Sequence, residues 1–345
     1  MKRYICLPVC FCLTVFSFCG CTNLLSKKLT KVDNTINGLE FYFIDVGQGD
    51  CIFMRTNDFS MMIDSGTSEN AANIIKTLDG LHIKKIDYFV GTHPHDDHLG
   101  GAETVLKRYD IGTFFLNGEI STAYFFERLL NALETENIKY SVPYYNCRYQ
   151  ENGLEFKFIS PVEKFNEQNN NSIVTKVIYG DVDALFMGDA EKDVEKYLID
   201  NNINDIKANI LKIAHHGSKY ASTSQFLRAV HPDVCVIQSG AGNKYGHPDA
   251  ETLQRIDDCG AKTMRCDKEG TIKLVTDGKN IYDAKGNELS KNKKTEKITY
   301  IGNKKSKIFH TSDCKNLPKG DNYIKLSSRE EAVEKGFSPC GNCNP

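Results

Sequence analysis

The chain has 345 residues, of which 40% are hydrophobic and 26% are charged, and its formal net charge is -2. This composition is typical of a globular protein and excludes a fibrous or largely disordered chain. The small net charge also argues against a protein that coats nucleic acid non-specifically, because such coating needs a large excess of Lys and Arg. The charge is uneven, however: residues 285–345 contain 13 basic and 7 acidic side chains. Such a basic segment is compatible with contact to a polyanion and equally with a solvated linker.

The N-terminal residues have the pattern of a secretory signal. Two basic residues precede an apolar run over residues 4–18, which is too short for an ordinary membrane span. The sequence Phe18-Cys19-Gly20-Cys21 resembles a bacterial lipoprotein signal, which implies lipidation at Cys21. The residue three places before Cys21 departs from the usual Leu, so plain secretion or an uncleaved anchor stays open. We predict a signal peptide over 1–20, a polar tether over 21–38, and a location at the extracellular face of the cell membrane or in the medium.

Strands and helices are predicted in alternation over the middle of the chain. Short apolar runs predict strands over residues 41–44, 51–54, 60–63, 86–90, 154–159, 173–179, 184–187, 210–214 and 234–238. Apolar residues at helical spacing predict helices over 71–78, 190–199, 222–229 and 249–259. Two runs of strands with helices between them indicate an α/β architecture in which paired sheets are flanked by helices.

A dense group of metal-ligand side chains follows the strand predicted over 86–90. The sequence His93-Pro94-His95-Asp96-Asp97-His98 holds three histidines and two aspartates within six residues. Imidazole nitrogen suits zinc and similar transition metals, and carboxylates add charge and can bridge two ions. A solvated polar turn is the alternative, but this spacing, followed by Gly100-Gly101, favours a metal site.

Together with the loops at other strand ends, this motif resembles the metallo-β-lactamase superfamily, and most of all the extracellular domain of the ComEC competence proteins. The segments that carry the resemblance are 43–50 (FIDVGQGD), 63–66 (IDSG), 93–98 (HPHDDH), 187–189 (MGD), 215–218 (HHGS) and 245–248 (YGHP). The resemblance implies an αββα four-layer sandwich over residues 39–278. It also implies a hydrolase site with two divalent ions, zinc or manganese, and no nucleotide cofactor.

The resemblance assigns metal ligands residue by residue. His93 and His95 would bind one ion, and Asp97 and His98 would bind the second. Asp189 is the expected bridging carboxylate between them.

Six further residues receive less definite roles. His247 is the implied additional ligand of the second ion, and His215 or His216 would complete the first site or stabilise the transition state. Asp64 is implied to orient the His-rich loop, as Asp45 and Asp50 also could, while a turn-forming role is the alternative for each. No histidine stands between Gly101 and Gly188, where most members place a further ligand. This absence argues against antibiotic hydrolysis and leaves the first ion short of a ligand.

The end of the chain has the composition of a structural zinc site. His310, Cys314, Cys340 and Cys343 form a Cys3His set, although a disulfide between the last two is the alternative. A module of this size buries too little core to fold easily without metal. It resembles the zinc-binding domain of Ada-type DNA repair proteins, which implies DNA contact without methyl transfer. We therefore predict a linker over 279–297 and an Ada-like zinc module over 298–345.

These features predict an extracellular metal-dependent nuclease or phosphodiesterase that acts on DNA by two-metal activation of water. One alternative is a phosphorylcholine-type esterase acting on cell-wall teichoic acid. Another is a DNA-binding lipoprotein without catalysis. The predicted partners are DNA and, through the lipid anchor, the membrane; the oligomeric state is not predicted.

Overall fold

A computed structural model describes residues 38–290, 300–311, 314–318, 322–326 and 329–343. The predicted signal peptide over 1–20, Cys21, and the tether up to residue 37 lie outside the described residues. So do residues 291–299 of the predicted linker. Within the described ranges, no helix has the length and apolar character needed to cross a bilayer.

The strands follow one another along the chain as β1 (Leu39–Phe43), β2 (Ile52–Arg55), β3 (Ser60–Ile63), β4 (Lys85–Gly91), β5 (Asp110–Leu116), β6 (Tyr140–Ser141), β7 (Arg148–Glu151), β8 (Leu154–Ser160), β9 (Val174–Tyr179), β10 (Val182–Phe186), β11 (Ile210–Lys212), β12 (Val234–Ile237), β13 (Lys262–Arg265), β14 (Ile272–Thr276), β15 (Ile281–Asp283), β16 (Tyr300–Asn303), β17 (Ile308–His310), β18 (Tyr323–Leu326) and β19 (Ser338–Pro339). The helices are α1 (Ala71–Gly80), α2 (Asp96–Leu99), α3 (Ala102–Leu106), α4 (Tyr124–Thr135), α5 (Lys192–Asn202), α6 (Ser224–Val230), α7 (Ala250–Asp258), α8 (Cys266–Glu269) and α9 (Arg329–Glu334). Short 3-10 turns occupy Ser68–Asn70, Gln168–Asn171 and Ala214–Gly217.

Two large sheets form the body of the protein. The first has eight strands in the order β15-β14-β1-β2-β3-β4-β5-β6, and the second has seven in the order β13-β12-β11-β10-β9-β8-β7. Their facing sides share one apolar core, in which Phe41 packs against Phe186 at 6.1 Å and Tyr88 against Phe156 at 4.8 Å between ring centroids. The outer side of the first sheet is covered by α1, α3 and α4, and that of the second by α5, α6 and α7. This arrangement confirms the predicted four-layer αββα sandwich.

Strand β1 shows why the sequence forms this layered structure. All five of its residues are buried, because one face of the strand meets the opposite sheet and the other meets helices. Phe41 and Phe43 belong to the core between the sheets, whereas Tyr42 belongs to the core beneath the helices. Side chains alternate between the two faces of a strand, so the apolar residues of β1 contribute to both cores.

The predicted linker over 279–297 is wrong in its first part. Strand β15 pairs antiparallel with β14, and Leu289 packs into the core between the sheets. The polar residues here form tight turns: the Asp277 carboxylate accepts hydrogen bonds from the backbone N–H groups of Lys279 and Asn280. Polar composition is common to linkers and to hairpin turns, so composition alone placed the domain end too early.

The described C-terminal residues form a small separate sheet. Its strand order is β18-β16-β17-β19, and α9 contacts β16 and β18. The buried apolar residues are few: Phe309, Leu326, Ala332 and Phe337. A core of this size gives little hydrophobic stabilisation, which agrees with the predicted need for a metal ion.

Candidate metal centre

The candidate site is built from loops that leave the strands of both sheets. From the first sheet come Asp50 in the turn between β1 and β2, Asp64 directly after β3, and the segment 92–98 after β4. From the second sheet come Asp189 after β10 and the adjacent His215 and His216 after β11. The His-rich segment leads directly into the short helix α2, which places Asp97 and His98 on its first turn.

Asp189 lies at the centre of this group. Its side chain is 3% exposed, and its Oδ2 atom is 3.2 Å from His98 Nε2 and 3.6 Å from His216 Nε2. The same oxygen lies 3.8 Å from His93 Nε2 and 3.8 Å from His215 Nε2. Four imidazoles from two sheets therefore face one carboxylate.

Two further side chains of the His-rich loop complete the inner group. His95 Nδ1 lies 2.9 Å from His93 Nε2, so these two nitrogens point to the same place. Asp97 Oδ2 lies 3.3 Å from His216 Nε2. The His-rich loop thus supplies ligand-type atoms next to other imidazoles of the centre.

An acceptor oxygen holds the Nδ1 atom of three of these imidazoles. Asp64 Oδ2 lies 2.7 Å from His98 Nδ1, and Glu191 Oε1 lies 2.9 Å from His215 Nδ1. His216 Nδ1 hydrogen-bonds to the backbone carbonyl of Gln238 at 3.0 Å, with Asp50 Oδ1 at 3.2 Å. An acceptor on Nδ1 fixes the tautomer and turns Nε2 toward a metal, as is usual for metal-bound histidines.

Asp64 and Asp50 are themselves held in place. The backbone N–H and the hydroxyl of Thr92 donate to the Asp64 carboxylate at 2.8 and 2.7 Å, and the backbone of Asp64 has a left-handed φ of 57°. The Lys212 ammonium contacts Asp50 Oδ2, and both side chains are fully buried. The outer carboxylates are therefore rigid supports for the imidazoles.

The charges at the centre shift its pKa values strongly. Burial acts to raise the pKa of Asp189, but the nearby His98, His216 and His215 outweigh it and hold this pKa well below its usual range. Burial acts to lower the pKa of His216, but Asp189 and Asp50 raise it to about 10. For His98, Asp189 and Asp64 outweigh burial in the same way and raise the pKa well above its usual value. Without a metal, protonated imidazoles balance the buried carboxylates, so a metal ion would have to displace protons.

The residues present fit a metal ion. Among the described residues, the buried atoms without a hydrogen-bond partner include His98 Nε2, His216 Nε2 and Asp189 Oδ1 at the centre. Ligand atoms of Asp50, His98, Asp189 and His216 also lie within 4.8 Å of one another. Buried polar atoms are almost always paired in native proteins, and imidazole with carboxylate is a zinc-type donor set.

A second group of ligand-type atoms lies in the C-terminal module. Atoms of His310, Cys314, Cys340 and Cys343 are within 4.8 Å of one another, and His310 Nδ1 is 3.3 Å from Cys314 Sγ. The backbone N–H of Cys340 donates to Phe309 O at 2.9 Å, which joins the two halves of the group. All three cysteines are free thiols, and three thiolates with one imidazole form a closed zinc-type set.

Comparison with known families agrees with both sites. Residues 44–126 match the metallo-β-lactamase superfamily, and residues 287–345 match the metal-binding domain of Ada. The chain combines a metallo-β-lactamase domain with an Ada-type metal-binding domain. The second match begins before the predicted boundary at residue 298.

Curated relatives resemble the chain over part of its length. Competence protein ComA of Neisseria gonorrhoeae is 29% identical over 232 residues, covering 67% of this chain and 31% of the relative. ComE operon protein 3 of Bacillus subtilis is 28% identical over 252 residues, covering 68% of this chain and 32% of the relative. The chain therefore spans about a third of the length of these two relatives. Exodeoxyribonuclease YycJ of Bacillus anthracis is 26% identical over 78 residues, 22% of this chain and 30% of that protein.

Solved structures also resemble the chain. The metallo-β-lactamase fold protein YhfI of Bacillus subtilis aligns with a TM-score of 0.48 and 10% identity, covering 68% of this chain and 99% of YhfI.

The predicted further ligand His247 lies beside His215, with 5.7 Å between ring centroids. His216, for which the sequence left two roles open, places its Nε2 atom 3.3 Å from Asp97 Oδ2 and 3.6 Å from Asp189 Oδ2. The assignment of His247 to the second ion stays a prediction.

Sequence reasoning also missed three supporting residues of the metallo-β-lactamase domain. Lys212 and Glu191 were not predicted, and Gln168, whose Oε1 lies 2.8 Å from His95 Nε2, was also missed. Lys212 had a detectable signal, because a lysine in the otherwise apolar strand Ile210–Lys212 needs a buried partner. Gln168 also lines a cavity of about 360 Å³ beside the site, whose other walls include Glu119, Ile120 and Lys164.

Proposed function

We propose that the metallo-β-lactamase domain is a metal-dependent hydrolase that cleaves phosphodiester bonds in DNA. The observation that carries the proposal is the position of Asp189 Oδ2, within 3.8 Å of imidazole nitrogens from His93, His98, His215 and His216. A carboxylate surrounded by imidazoles in this way is suited to bridge two divalent ions.

The ligands divide naturally into two sets. His93, His95 and His215 would hold one ion, and Asp97, His98 and His216 would hold the other, with Asp189 shared between them. When bound, such ions lower the pKa of a water molecule and offset the negative charge of a phosphoryl group. The protein's own contribution is rigid orientation: Asp64, Asp50 and Glu191 hold the rings from behind.

DNA is proposed as the substrate on two grounds. One relative is named an exodeoxyribonuclease and another a competence protein, although each matches the chain only in part. In addition, residues 285–345 carry 13 basic against 7 acidic side chains, and this segment includes the Ada-type domain. A basic domain attached to the hydrolase domain would raise its affinity for a polyanion.

The test compares purified wild-type protein with Asp189→Asn in the presence of zinc or manganese, on single-stranded DNA, duplex DNA and a choline-phosphate ester. We expect DNA cleavage by the wild type and at least a hundred-fold loss in Asp189→Asn, because two-metal sites depend on the shared ligand. Asp181→Asn, an exposed carboxylate on the turn before β10, is the matched control and should behave as wild type. Release of choline phosphate without DNA cleavage would favour the esterase alternative. DNA binding without any turnover would favour a non-catalytic protein.

We also propose that the protein acts at the outer face of the cell membrane, held by a lipid on Cys21. Support comes from the signal-like sequence over residues 1–21 alone. In cell fractionation, wild-type protein should sediment with membranes, and Cys21→Ala should not. Membrane association that is unchanged in Cys21→Ala would contradict lipid anchoring at this residue.

A further inference from the structure

Two Lys-Tyr pairs stand on two loops of the second sheet, next to the histidines of the metal centre. Lys219-Tyr220 follows the loop that carries His215 and His216, and Lys244-Tyr245 precedes His247. Both tyrosines are 56% exposed, although tyrosine rings usually bury their apolar faces. In each pair the lysine ammonium lies over its neighbour's ring, at 5.4 Å for Lys219 and 5.1 Å for Lys244 from the ring centroid.

The two loops are joined to each other. The backbone N–H of Asp249 donates to Gly217 O at 2.9 Å, and the Thr252 hydroxyl donates to Ser218 O at 3.0 Å. The second loop also makes a ring contact with a histidine next to the metal centre. Tyr245 stacks on His247 with 5.9 Å between centroids and 17° between ring planes.

Contacts also fix the backbone of the Lys219-Tyr220 loop while its side chains stay exposed. The Arg255 guanidinium donates to Lys219 O at 3.2 Å and to Ala221 O at 3.0 Å. The backbone N–H of Tyr220 donates to the Ser218 hydroxyl at 3.3 Å. A rigid backbone that presents an exposed aromatic ring is the arrangement expected of a binding surface, because little ordering entropy remains to be lost.

We propose that Lys219, Tyr220, Lys244 and Tyr245 form a rim that binds single-stranded nucleic acid, with bases stacked on the tyrosines and phosphates paired with the lysines. The inference rests on the proposed phosphodiesterase function, since it names the strand form that this site accepts. Base stacking on aromatic side chains needs exposed base faces, which a single strand offers and a duplex hides. The lysines add the charge that follows a phosphate backbone. The rim therefore selects single strands or unpaired ends.

The test measures binding by fluorescence anisotropy with three labelled probes of equal length: oligo-dT, an abasic oligomer that has the phosphates without bases, and a duplex. Tyr220→Leu/Tyr245→Leu should weaken oligo-dT binding about tenfold or more, in line with loss of base stacking, and leave abasic binding unchanged. Lys219→Gln/Lys244→Gln should weaken binding of both single-stranded probes and reduce the salt dependence. The matched control is Tyr124→Leu/Tyr144→Leu, which removes two tyrosines that are 72% and 76% exposed and lie outside the rim.

Cleavage kinetics separate this inference from the proposed function. For single-stranded DNA, the tyrosine variant should raise KM with kcat and metal content unchanged. Equal oligo-dT affinity in the wild type and the tyrosine variant would overturn the rim, even if DNA cleavage is intact. The opposite outcome is also informative. If the wild type cleaves no phosphodiester, and the tyrosine variant binds oligo-dT more weakly than the wild type, the hydrolase proposal is overturned and the rim is supported.

Discussion

Lys212 forms a buried ion pair with a carboxylate beside the metal centre. Its side chain is fully buried on β11, where its ammonium contacts Asp50. Asp50 in turn faces His216, so the lysine acts on the metal centre through one carboxylate. Removing one partner of a buried ion pair leaves the other charge in an apolar interior without compensation.

We predict that Lys212→Met lowers the free energy of unfolding by about 3–5 kcal/mol, because the buried Asp50 loses its ammonium partner and keeps only the contact with His216. Urea denaturation in the presence of a chelator measures this loss without a contribution from bound metal. The double variant Lys212→Met/Asp50→Asn should recover part of the lost stability, since the buried charge is then gone. Lys196→Met is the control: Lys196 pairs with Asp200 at the surface, where the loss should stay below about 1 kcal/mol. Similar losses for Lys212→Met and Lys196→Met would refute the buried-pair explanation.

The sequence predicted the imidazole and carboxylate side chains of the metal centre, but not the backbone geometry that positions them. His215 and His216 both have left-handed backbone, with φ of 48° and 54°. Such conformations are uncommon in residues other than glycine, and the sequence motif did not predict them here. The contact between Asp50 and Lys212 likewise joins distant parts of the chain, so no spacing rule reveals it.

Helix α5 connects the metal centre to the neighbouring helix through one buried acid. Glu195 is fully buried, and its carboxylate accepts hydrogen bonds from the backbone N–H groups of Ser222 and Thr223. Thr223 is also the N-cap of α6, where its hydroxyl accepts from Phe226 N at 3.2 Å. Burial raises the pKa of Glu195 from 4.5 to about 7, although these hydrogen bonds act in the opposite direction.

A carboxyl pKa that is higher in the folded state gives stability in acid that is lost as pH rises. We therefore expect the stabilising contribution of Glu195 to decline between about pH 4.5 and pH 7, since the unfolded chain releases this proton more readily. Melting temperatures of metal-free protein from pH 5 to pH 8 measure the effect. Glu195→Gln should show a weaker decline than wild type, whereas Glu134→Gln, an exposed acid on α4, should follow wild type. Parallel curves for Glu195→Gln and wild type would contradict the raised pKa.

The predicted helices and strands match the observed ones where the spacing of apolar residues determines the element. They differ where a loop positions a residue of the metal centre. The helix predicted over 190–199 begins only at Lys192. The two residues before it belong to the loop of Asp189: Ala190 N donates to Met187 O at 3.1 Å, and Glu191 holds His215. Tertiary contacts thus override helical spacing at this point.

The described residues form two domains that differ in what stabilises them. The metallo-β-lactamase domain has three large apolar cores, whereas the described part of the Ada-type domain buries a single cluster centred on Phe309 and Phe337. Composition and motifs predicted this division and the fold of the larger body. They did not predict the boundary, since β15 and Leu289 extend the first domain beyond residue 278.

We predict that chelation unfolds the Ada-type domain and leaves the metallo-β-lactamase domain folded, because only the former lacks a sufficient apolar core. Limited proteolysis after chelator treatment should cleave within residues 300–343 and spare residues 38–290. Cys340→Ser should lower the zinc content by one equivalent and produce the same cleavage without chelator. Cys259→Ser, a half-buried cysteine outside both sites, should do neither. Protection of residues 300–343 in fully chelated protein would disprove the dependence on metal.

The inner ligands of the metallo-β-lactamase site come from both sheets, with His98 supplied by one and Asp189 and His216 by the other. A cation bound by these ligands would act as a non-covalent cross-link between the two sheets. Unfolding that separates the sheets would then require release of the ion. The melting temperature should then rise with the logarithm of the free metal concentration. The ion would thus stabilise the fold in addition to its part in the chemistry.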